Sequence, residues 1–189
     1  VSANPTGPLH VGHGRGAIYG DVISKLLEKK GHEVQKEYYV NDAGRQIDIL
    51  TASVYLRAIN IEDNIFPESA YRGEYIKEIA KNADLQEAVN IDDLFKSLPE
   101  DDEEKIDKII SRLKSASEKD WKSIKKVSLE SVLSTIEKDL EDFGVTFDNW
   151  FLESSLLGAD SKIDAAVQQL NTNNLIDNRD GNIWFKSSD

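Results

Sequence analysis

Two histidines, His10 and His13, stand three residues apart where a short loop gives way to a helical pattern. This spacing places both imidazoles on the same side of the first helical turn. A helix N-terminus offers unpaired N–H groups and the positive end of the helix dipole, which suit a phosphate. Imidazoles there can donate hydrogen bonds as negative charge builds on the phosphate, and one such donor is worth roughly 2.7–4 kcal/mol. Gly12, between the histidines, leaves room for a flat base or ribose. The motif predicts a nucleotide-binding site formed by His10, Gly12 and His13, in which both histidines are catalytic.

Other interpretations of these residues stay open at this stage. A zinc site is disfavoured because the chain has no Cys and its third histidine is His32, so carboxylates would have to complete the ligand set. Residues 12–16 have the spacing G-x-G-x-G, which differs from the G-x-G-x-x-G of dinucleotide-binding loops. The simplest alternative is a glycine-rich turn with two surface histidines, and the pattern alone is compatible with it.

Composition limits the classes of protein to which the chain can belong. Its 189 residues are 39% hydrophobic and 31% charged, which suits a helix-rich globular fold. The absence of Cys excludes disulfide scaffolds and thiol catalysis. No apolar run approaches the ~20 residues that cross a bilayer, so we expect no association with a membrane. The first residues carry neither a basic nor an apolar segment of the kind found in signal peptides. We therefore predict a cytoplasmic protein.

The formal net charge of -12 argues against tight binding of nucleic acid by this segment alone. Binding to a phosphate backbone relies on clustered Lys and Arg, and an acidic surface repels it. Both ends of the chain resemble interrupted elements, so we expect an internal piece of a longer protein. The main grip on any RNA partner should then lie elsewhere.

Hydrophobic patterning predicts the elements that position the histidines. Residues 1–3 suit the end of a strand, and the prolines within residues 4–8 require a loop. Residues 34–40 are predicted to form a strand, and residues 41–44 a turn that caps a second helix. A first helix is predicted over residues 11–30 from an apolar face with spacings of three and four, formed by Ile18, Tyr19, Val22, Ile23, Leu26 and Leu27. The inner face of the second helix is expected to contain Ile47, Leu50, Thr51, Val54 and Ala58. Strand, helix and strand in this order indicate a parallel sheet.

The middle of the chain changes character. Residues 61–144 have helical periodicity and little strand propensity, which predicts a helical insertion. The acidic run at residues 100–104 is expected to start a helix, because acidic side chains favour first turns. The clearest apolar stripe ends at Gly144 and consists of Leu129, Val132, Leu133, Ile136, Leu140 and Phe143.

Strand chemistry returns after the insertion, at residues 145–152. Ser161 and Asp164 then suit the start of a short helix with Ile163, Ala166, Val167 and Leu170 facing inward. A hairpin is predicted around residues 178–182. We therefore predict an α/β fold, a Rossmann-like nucleotide-binding half-domain with parallel strands, in which residues 1-60 and 145-189 belong to one domain and residues 61-144 interrupt it.

The segment around the histidines, S-A-N-P-T-G-P-L-H-V-G-H-G-R-G-A, is similar to the HIGH-motif region of class I aminoacyl-tRNA synthetases in its bacterial arginyl-tRNA synthetase form. Residues 37–47, 147–156 and 180–189 resemble three later segments of the same family, in the same order. A lone H-x-G-H is a weak signal because many nucleotidyltransferases share it, whereas four ordered blocks are specific. The helical insertion matches only in general character.

The resemblance implies a reaction and assigns roles to residues. Arginine and ATP would give arginyl-adenylate and pyrophosphate, and the arginyl group would then pass to tRNA(Arg). The ATP site would contain His10, Gly12 and His13; the arginine site Ser2, Ala3, Asn4 and His13; and the pocket wall Asn41, Asp42 and Gln46, although Asp42 suits a helix cap equally well. Mg²⁺ would accompany ATP without a dedicated protein site, and the partners would be L-arginine, ATP and tRNA(Arg), bound by a monomer. The guanidinium-gripping residues, the KMSKS-like loop and the anticodon-binding domain would lie outside the chain, so the fragment alone is expected to be inactive.

Two other functions stay open. One is a small-substrate nucleotidyltransferase of the H-x-G-H type, which is disfavoured because such folds would not need the insertion or the later blocks. The other is a binding or regulatory module that resembles a synthetase but has lost catalysis. The intact His10 and His13 argue against that second alternative.

Overall fold

Helices make up most of the molecule, and the parallel strands are short. The structure is a computed structural model that describes residues 2–158 and 161–187. In chain order its elements are α1 (Val11–Lys29), β1 (Glu37–Val40), α2 (Arg45–Ala58), α3 (Glu74–Lys81), α4 (Ile91–Phe95), α5 (Asp102–Ala116), α6 (Glu118–Asp142), β2 (Asn149–Leu152), a 3-10 turn (Glu153–Leu156), α7 (Lys162–Thr172), β3 (Ile176–Arg179) and β4 (Asn182–Phe185). Within the described ranges, every helix falls short of the length and apolar character of a transmembrane span.

Helix α2 is the most deeply buried element. It packs against α3, α5 and α6, and these helices cover it on several sides. Burial therefore extends beyond one face and includes every residue from Ile49 to Leu56. The predicted inner face is confirmed except at Ala58, which is only half-buried. The buried residues of that face are Ile47, Leu50, Thr51 and Val54.

The region predicted to be a helical insertion does consist of helices, α3 to α6. The acidic run starts α5 as predicted, because the Asp101 side chain accepts a hydrogen bond from the Glu104 N–H at 2.9 Å. On α6, Val132, Ile136 and Leu140 are buried. Phe143 is 54% exposed, so its predicted place in the stripe is wrong. Because α2 shares one core with these helices, the domain boundary at residue 60 stays a prediction.

Strands β1 and β2 form a parallel pair in which Glu37 lies opposite Asn149 and Val40 opposite Leu152. The predicted parallel pairing is confirmed, but both strands begin about three residues later than predicted. The Asp148 carboxylate accepts a hydrogen bond from the backbone N–H of Lys36 at 2.7 Å, so this N–H is not available to a regular β-ladder. The carboxyl ends of both strands lie side by side, which is where open α/β sheets bind ligands.

Tyr38 of β1 holds the beginning of the described chain. Its ring is buried and stacks on Trp150 with a centroid distance of 4.3 Å. Its hydroxyl accepts from the Ala3 N–H at 2.8 Å and donates to the Ala3 carbonyl at 3.0 Å. Ser2 Oγ accepts from the Tyr39 N–H at 3.0 Å. The strand predicted at residues 1–3 is therefore wrong for Ser2 and Ala3, since side chains hold them in place of a backbone ladder; Val1 lies outside the described residues.

Helix α1 has the predicted bounds and ends beside Gly31, whose φ of 88° suits glycine. Its apolar face, however, is exposed to solvent. Only Ala17 and Asp21 of α1 are buried, and Asp21 accepts from Lys36 Nζ at 3.4 Å. The exposed apolar side chains are Val11, Ile18, Tyr19, Val22, Ile23, Leu26 and Leu27. Nothing in the described part of the chain covers this face.

The last part of the described chain follows the prediction in its local structure. Ser161 Oγ accepts from the Asp164 N–H at 3.1 Å and starts α7. Strands β3 and β4 form the predicted antiparallel hairpin. Asp180 and Gly181 have φ values of 51° and 77°, which matches the positive φ of a two-residue type I′ turn. The predicted inward face of α7 is wrong for Ile163 and Ala166, which are exposed, whereas Val167 and Leu170 are half-buried.

Candidate functional site

His10 and His13 each use one ring nitrogen to cap helix α1. Nδ1 of His10 accepts from the Gly12 N–H at 3.1 Å, and Nδ1 of His13 accepts from the His10 N–H at 3.2 Å. The two rings stack with a centroid distance of 3.6 Å. A ring nitrogen that accepts a hydrogen bond carries no proton, so each neutral ring holds its proton on Nε2. The caps therefore select the tautomer that leaves two Nε2–H donors at the N-terminus of α1.

The surroundings of His13 favour this neutral state. Burial lowers the pKa of His13, and the neighbouring His10 lowers it further. The stabilising cap is therefore fully present above the ordinary histidine pKa and is lost as the pH falls through the lowered one. The donor tautomer persists to a lower pH than it would in an isolated histidine.

Gly12 has a steric role that the sequence did not indicate. A Cβ at this position would lie 2.9 Å from Cε1 and 3.0 Å from Nδ1 of His10. Its φ is not positive, so conformational freedom does not account for the glycine. The absence of a side chain at Gly12 leaves space for the stacked His10 ring.

Most residues predicted for the amino-acid site and its wall lie together at the carboxyl ends of β1 and β2, whereas His13 lies in the first turn of α1. Residues 4–10 form the loop between Ala3 and α1, which we call the signature loop. Asn4 Nδ2 donates to Gln46 Oε1 at 2.6 Å and thereby joins this loop to α2. The Asn41 amide lies between Asn4 and Glu153. With its nitrogen toward Glu153, it donates to that carboxylate at 2.6 Å and to the Ala43 carbonyl at 2.9 Å. The opposite orientation makes one bond of 3.3 Å to Asn4, so the first orientation satisfies more of the amide.

Asp42 does not cap α2. Gly44 occupies the N-cap position, and no side chain caps the helix there. Asp42 instead accepts from the Ser154 N–H at 2.8 Å and from the Ser154 hydroxyl at 2.5 Å. The cap interpretation is wrong because the 3-10 turn after β2 brings its own donors to this carboxylate. Asp42 thus ties the ends of the two parallel strands together.

Glu153 is a candidate residue that sequence reasoning missed. It follows β2 directly and lies beside Asn41, Asp42 and Tyr39. Burial raises the pKa of Tyr39, and the charges of Glu153 and Asp42 and a hydrogen bond with Glu153 raise it further. Two carboxylates therefore meet at one edge of the sheet. The signal available in the sequence was an acidic residue directly after a predicted parallel strand, the position that faces a ligand crevice.

Comparison with known proteins identifies the family of this site. Residues 1–186 match the family model for the catalytic domain of class I tRNA synthetases (R). The chain belongs to this arginyl family of class I synthetases. Its membership confirms the predicted Rossmann-like α/β class and places the H-V-G-H segment inside a synthetase catalytic domain.

Individual members of the arginyl family are similar to the whole chain. The arginine–tRNA ligase of Acinetobacter baumannii (strain AYE) is 42% identical over 217 aligned residues, which cover 100% of this chain and 35% of the relative. The arginine–tRNA ligase of Acidithiobacillus ferrooxidans is 41% identical over 196 residues, which cover 100% of this chain and 34% of the relative. A crystal structure assigned as an arginyl-tRNA synthetase from Campylobacter jejuni superposes with a TM-score of 0.69 at 32% identity, over 98% of this chain and 36% of that one. The chain thus spans about 35% of the length of its curated relatives.

Proposed function

We propose that this chain supplies the ATP-binding part of the active site of an arginine–tRNA ligase. The full-length protein would join L-arginine to ATP, release pyrophosphate and transfer the arginyl group to tRNA(Arg). The observation that carries the proposal is the pair of Nε2–H donors that His10 and His13 present at the N-terminus of α1. The family match and the names of the relatives support the amino acid. A monomeric, cytoplasmic enzyme stays our prediction.

At the ATP end, the chemistry is electrostatic. The carboxylate of arginine attacks the α-phosphorus, negative charge builds on the α-phosphate oxygens, and pyrophosphate leaves. Donors already aimed at that charge stabilise the transition state without having to reorganise. His10 and His13 would act in this way, and Gly12 would keep the His10 ring in place. Magnesium would enter with the ATP phosphates.

At the arginine end, amides and carboxylates surround the same edge of the sheet. Ser2 and Ala3 are engaged by Tyr39 and Tyr38, so they would shape the pocket through their backbone. Asn4, held by Gln46, would offer an amide to the α-amino or carboxylate group of the substrate. Arginine is a cation, and the negative charge of Glu153 would attract it. Asp42, already bonded to Ser154, would mainly position the turn that carries Glu153.

ATP–pyrophosphate exchange with the full-length protein, measured with and without tRNA, tests the proposed function. Exchange should depend on arginine and should not be supported by citrulline, which has the same shape but lacks the positive charge. A small-substrate nucleotidyltransferase would show no such dependence on arginine. A regulatory module without catalysis would show no exchange with any amino acid, and either result would reject the proposal.

Replacing Glu153 by Gln in the full-length protein should raise the KM for arginine by about 10- to 100-fold, the scale of one lost charge-assisted hydrogen bond. The KM for ATP should change little, because Glu153 lies at the strand edge and not at the cap of α1. Steady-state exchange over a range of arginine concentrations measures this. Glu37→Gln is the matched control, since Glu37 bonds to Asn149 at the opposite end of the same strands. Equal effects of both substitutions would show that Glu153 has no specific part in arginine binding.

The isolated chain should bind tRNA weakly and without selectivity. Its net charge is -12, and the lysines of the insertion are largely paired. Lys114 contacts Asp48 at 2.8 Å, Lys122 contacts Glu118 at 2.5 Å, and Lys126 contacts Glu130 at 3.8 Å. A filter-binding titration with cognate and non-cognate tRNA at ~0.15 M salt measures the affinity. Submicromolar binding that selects tRNA(Arg) would show instead that the insertion is a recognition element.

A further inference from the structure

Tyr75, on helix α3 of the insertion, reaches the loop that connects the two halves of the proposed site. Its hydroxyl donates to the Thr6 carbonyl at 2.6 Å, across 69 residues of sequence. Burial raises the pKa of Tyr75 to about 12, and Tyr71 contributes to the rise. The hydroxyl therefore keeps its proton, and remains a donor, throughout the physiological range. The contact does not depend on pH where the enzyme would work.

Two glycines make room for the Tyr75 ring. A Cβ at Gly73 would lie 2.4 Å from Cε1 of Tyr75, and a Cβ at Gly7 would lie 3.0 Å from its hydroxyl oxygen. Neither glycine has a positive φ, so backbone conformation does not explain why these positions lack side chains. The space that the ring occupies does explain it. Gly73, two residues before Tyr75, and Gly7, far away in sequence, are thus both matched to one contact.

The contact lies in the middle of the loop that joins Asn4 to His10. Tyr38 fixes one end of this loop through Ala3, and the α1 cap fixes the other end at His10. Pro5 and Pro8 lock two of the φ angles in between, so the loop has few remaining degrees of freedom. Anchoring the Thr6 carbonyl removes much of the remaining backbone freedom of the loop. It thereby sets the position of Asn4 relative to His10.

The anchor itself is rigid. Ile76 and Ile79 on α3 are buried, and α3 packs against the central helix α2. Gln46, at the start of α2, holds the Asn4 amide at 2.6 Å. One packed unit therefore holds the loop at two points, Asn4 and Thr6.

We propose that Tyr75 is a positioning residue for adenylate formation, through which the helical insertion sets the distance between the arginine-binding and ATP-binding ends of the signature loop. The inference rests on the proposed function. Adenylate formation requires the arginine carboxylate and the α-phosphate to meet in a reactive geometry, and small errors in that geometry slow the reaction steeply. Tyr75 touches neither substrate, so its effect should appear in the rate more than in either affinity.

The test uses the full-length protein with Tyr75→Phe, which removes the hydroxyl and keeps the ring. We expect kcat for ATP–pyrophosphate exchange to fall about tenfold, between the loss of one ordinary hydrogen bond and the loss from a full ångström of misplacement. The KM values for arginine and ATP should each change less than about threefold, because no substrate contact is lost. Gly73→Ser should lower kcat at least as much, since serine can still cap α3 while its Cβ crowds the ring.

Tyr55→Phe is the matched control. Tyr55 is fully buried on α2, and its hydroxyl has no hydrogen-bond partner among the described residues, so kcat should stay at the level of the unsubstituted protein. A Tyr75→Phe protein with unchanged kcat would overturn the inference while arginine-dependent exchange by the unsubstituted protein still supported the proposed function. An effect on kcat of equal size in Tyr55→Phe would also overturn it, because the loss would then be general. Absence of arginine-dependent exchange in the unsubstituted protein would reject the proposed function and the inference together.

Discussion

Replacing His10 or His13 by Ala in the full-length protein is expected to slow adenylate formation by roughly 10²- to 10³-fold, the scale of one lost oxyanion donor. Each substitution removes an Nε2–H donor whose tautomer the α1 cap selects. ATP binding should weaken far less, because the donors gain strength only as charge builds in the transition state. Single-turnover rates and ATP affinities measured on the same proteins separate the two effects.

His10→Asn distinguishes the catalytic role from the capping role. Asparagine is among the best N-cap residues, so this variant should keep α1 capped while it loses the Nε2 donor. We expect its thermal midpoint to stay near that of the unsubstituted protein and its single-turnover rate to fall as far as that of His10→Ala. A normal rate in His10→Asn would mean that His10 serves the helix and not the phosphate. His32→Ala, at an exposed position after α1, controls for the loss of any histidine.

Residues 1–189 alone are expected to show no arginine-dependent ATP–pyrophosphate exchange. The chain spans about 35% of the length of its curated relatives, and catalysis by positioning fails when part of the positioning groups is missing. Helix α1, which carries both histidines, has seven large apolar side chains exposed and is therefore poorly held in the isolated chain. The exchange assay, run with and without tRNA and in parallel with the full-length protein, measures the difference.

Inactivity of the isolated chain must be separated from failure to fold. Far-UV circular dichroism should show a predominantly helical protein, because the core around α2 is contained within the described residues. A folded chain without exchange is the expected result. Robust exchange by this chain alone would show that the described residues already contain a sufficient arginine site.

Local signals in the sequence were enough to predict helices and the hairpin. They did not predict the long-range contacts. The start of α1 at Val11, the acidic first turn of α5 and the hairpin at Asp180 each follow from residues adjacent in sequence, and all three predictions are confirmed. Asp42 shows the limit. A carboxylate near the start of a helix suits a cap on local grounds, yet its partner, Ser154, is 112 residues away. No pattern around Asp42 contains that information.

The candidate site divides in the same way. The H-V-G-H spacing indicated His10 and His13 as candidates, but only the three-dimensional arrangement shows that each uses Nδ1 at the start of the helix, which leaves Nε2 as the donor. Gly7 is visible in the sequence, whereas its relation to the Tyr75 ring depends on a fold that brings Tyr75 to Thr6 across 69 residues. The apolar face of α1 was predicted correctly as a pattern, and its exposure follows from what surrounds the helix.

Strands β1 and β2 join parts of the chain that emerge from the ribosome at different times. Glu37 pairs opposite Asn149, and Asp42 bonds to Ser154 across 112 residues, so this parallel pairing cannot form until the helices between the two strands have been synthesised. Contacts of such separation form slowly, because the intervening chain must lose its freedom before they contribute. Packing of α2 against α6 brings the two strands within reach of each other. The edge proposed to bind arginine can therefore assemble only after α2 to α6 have been made, and its folding depends on how those helices pack.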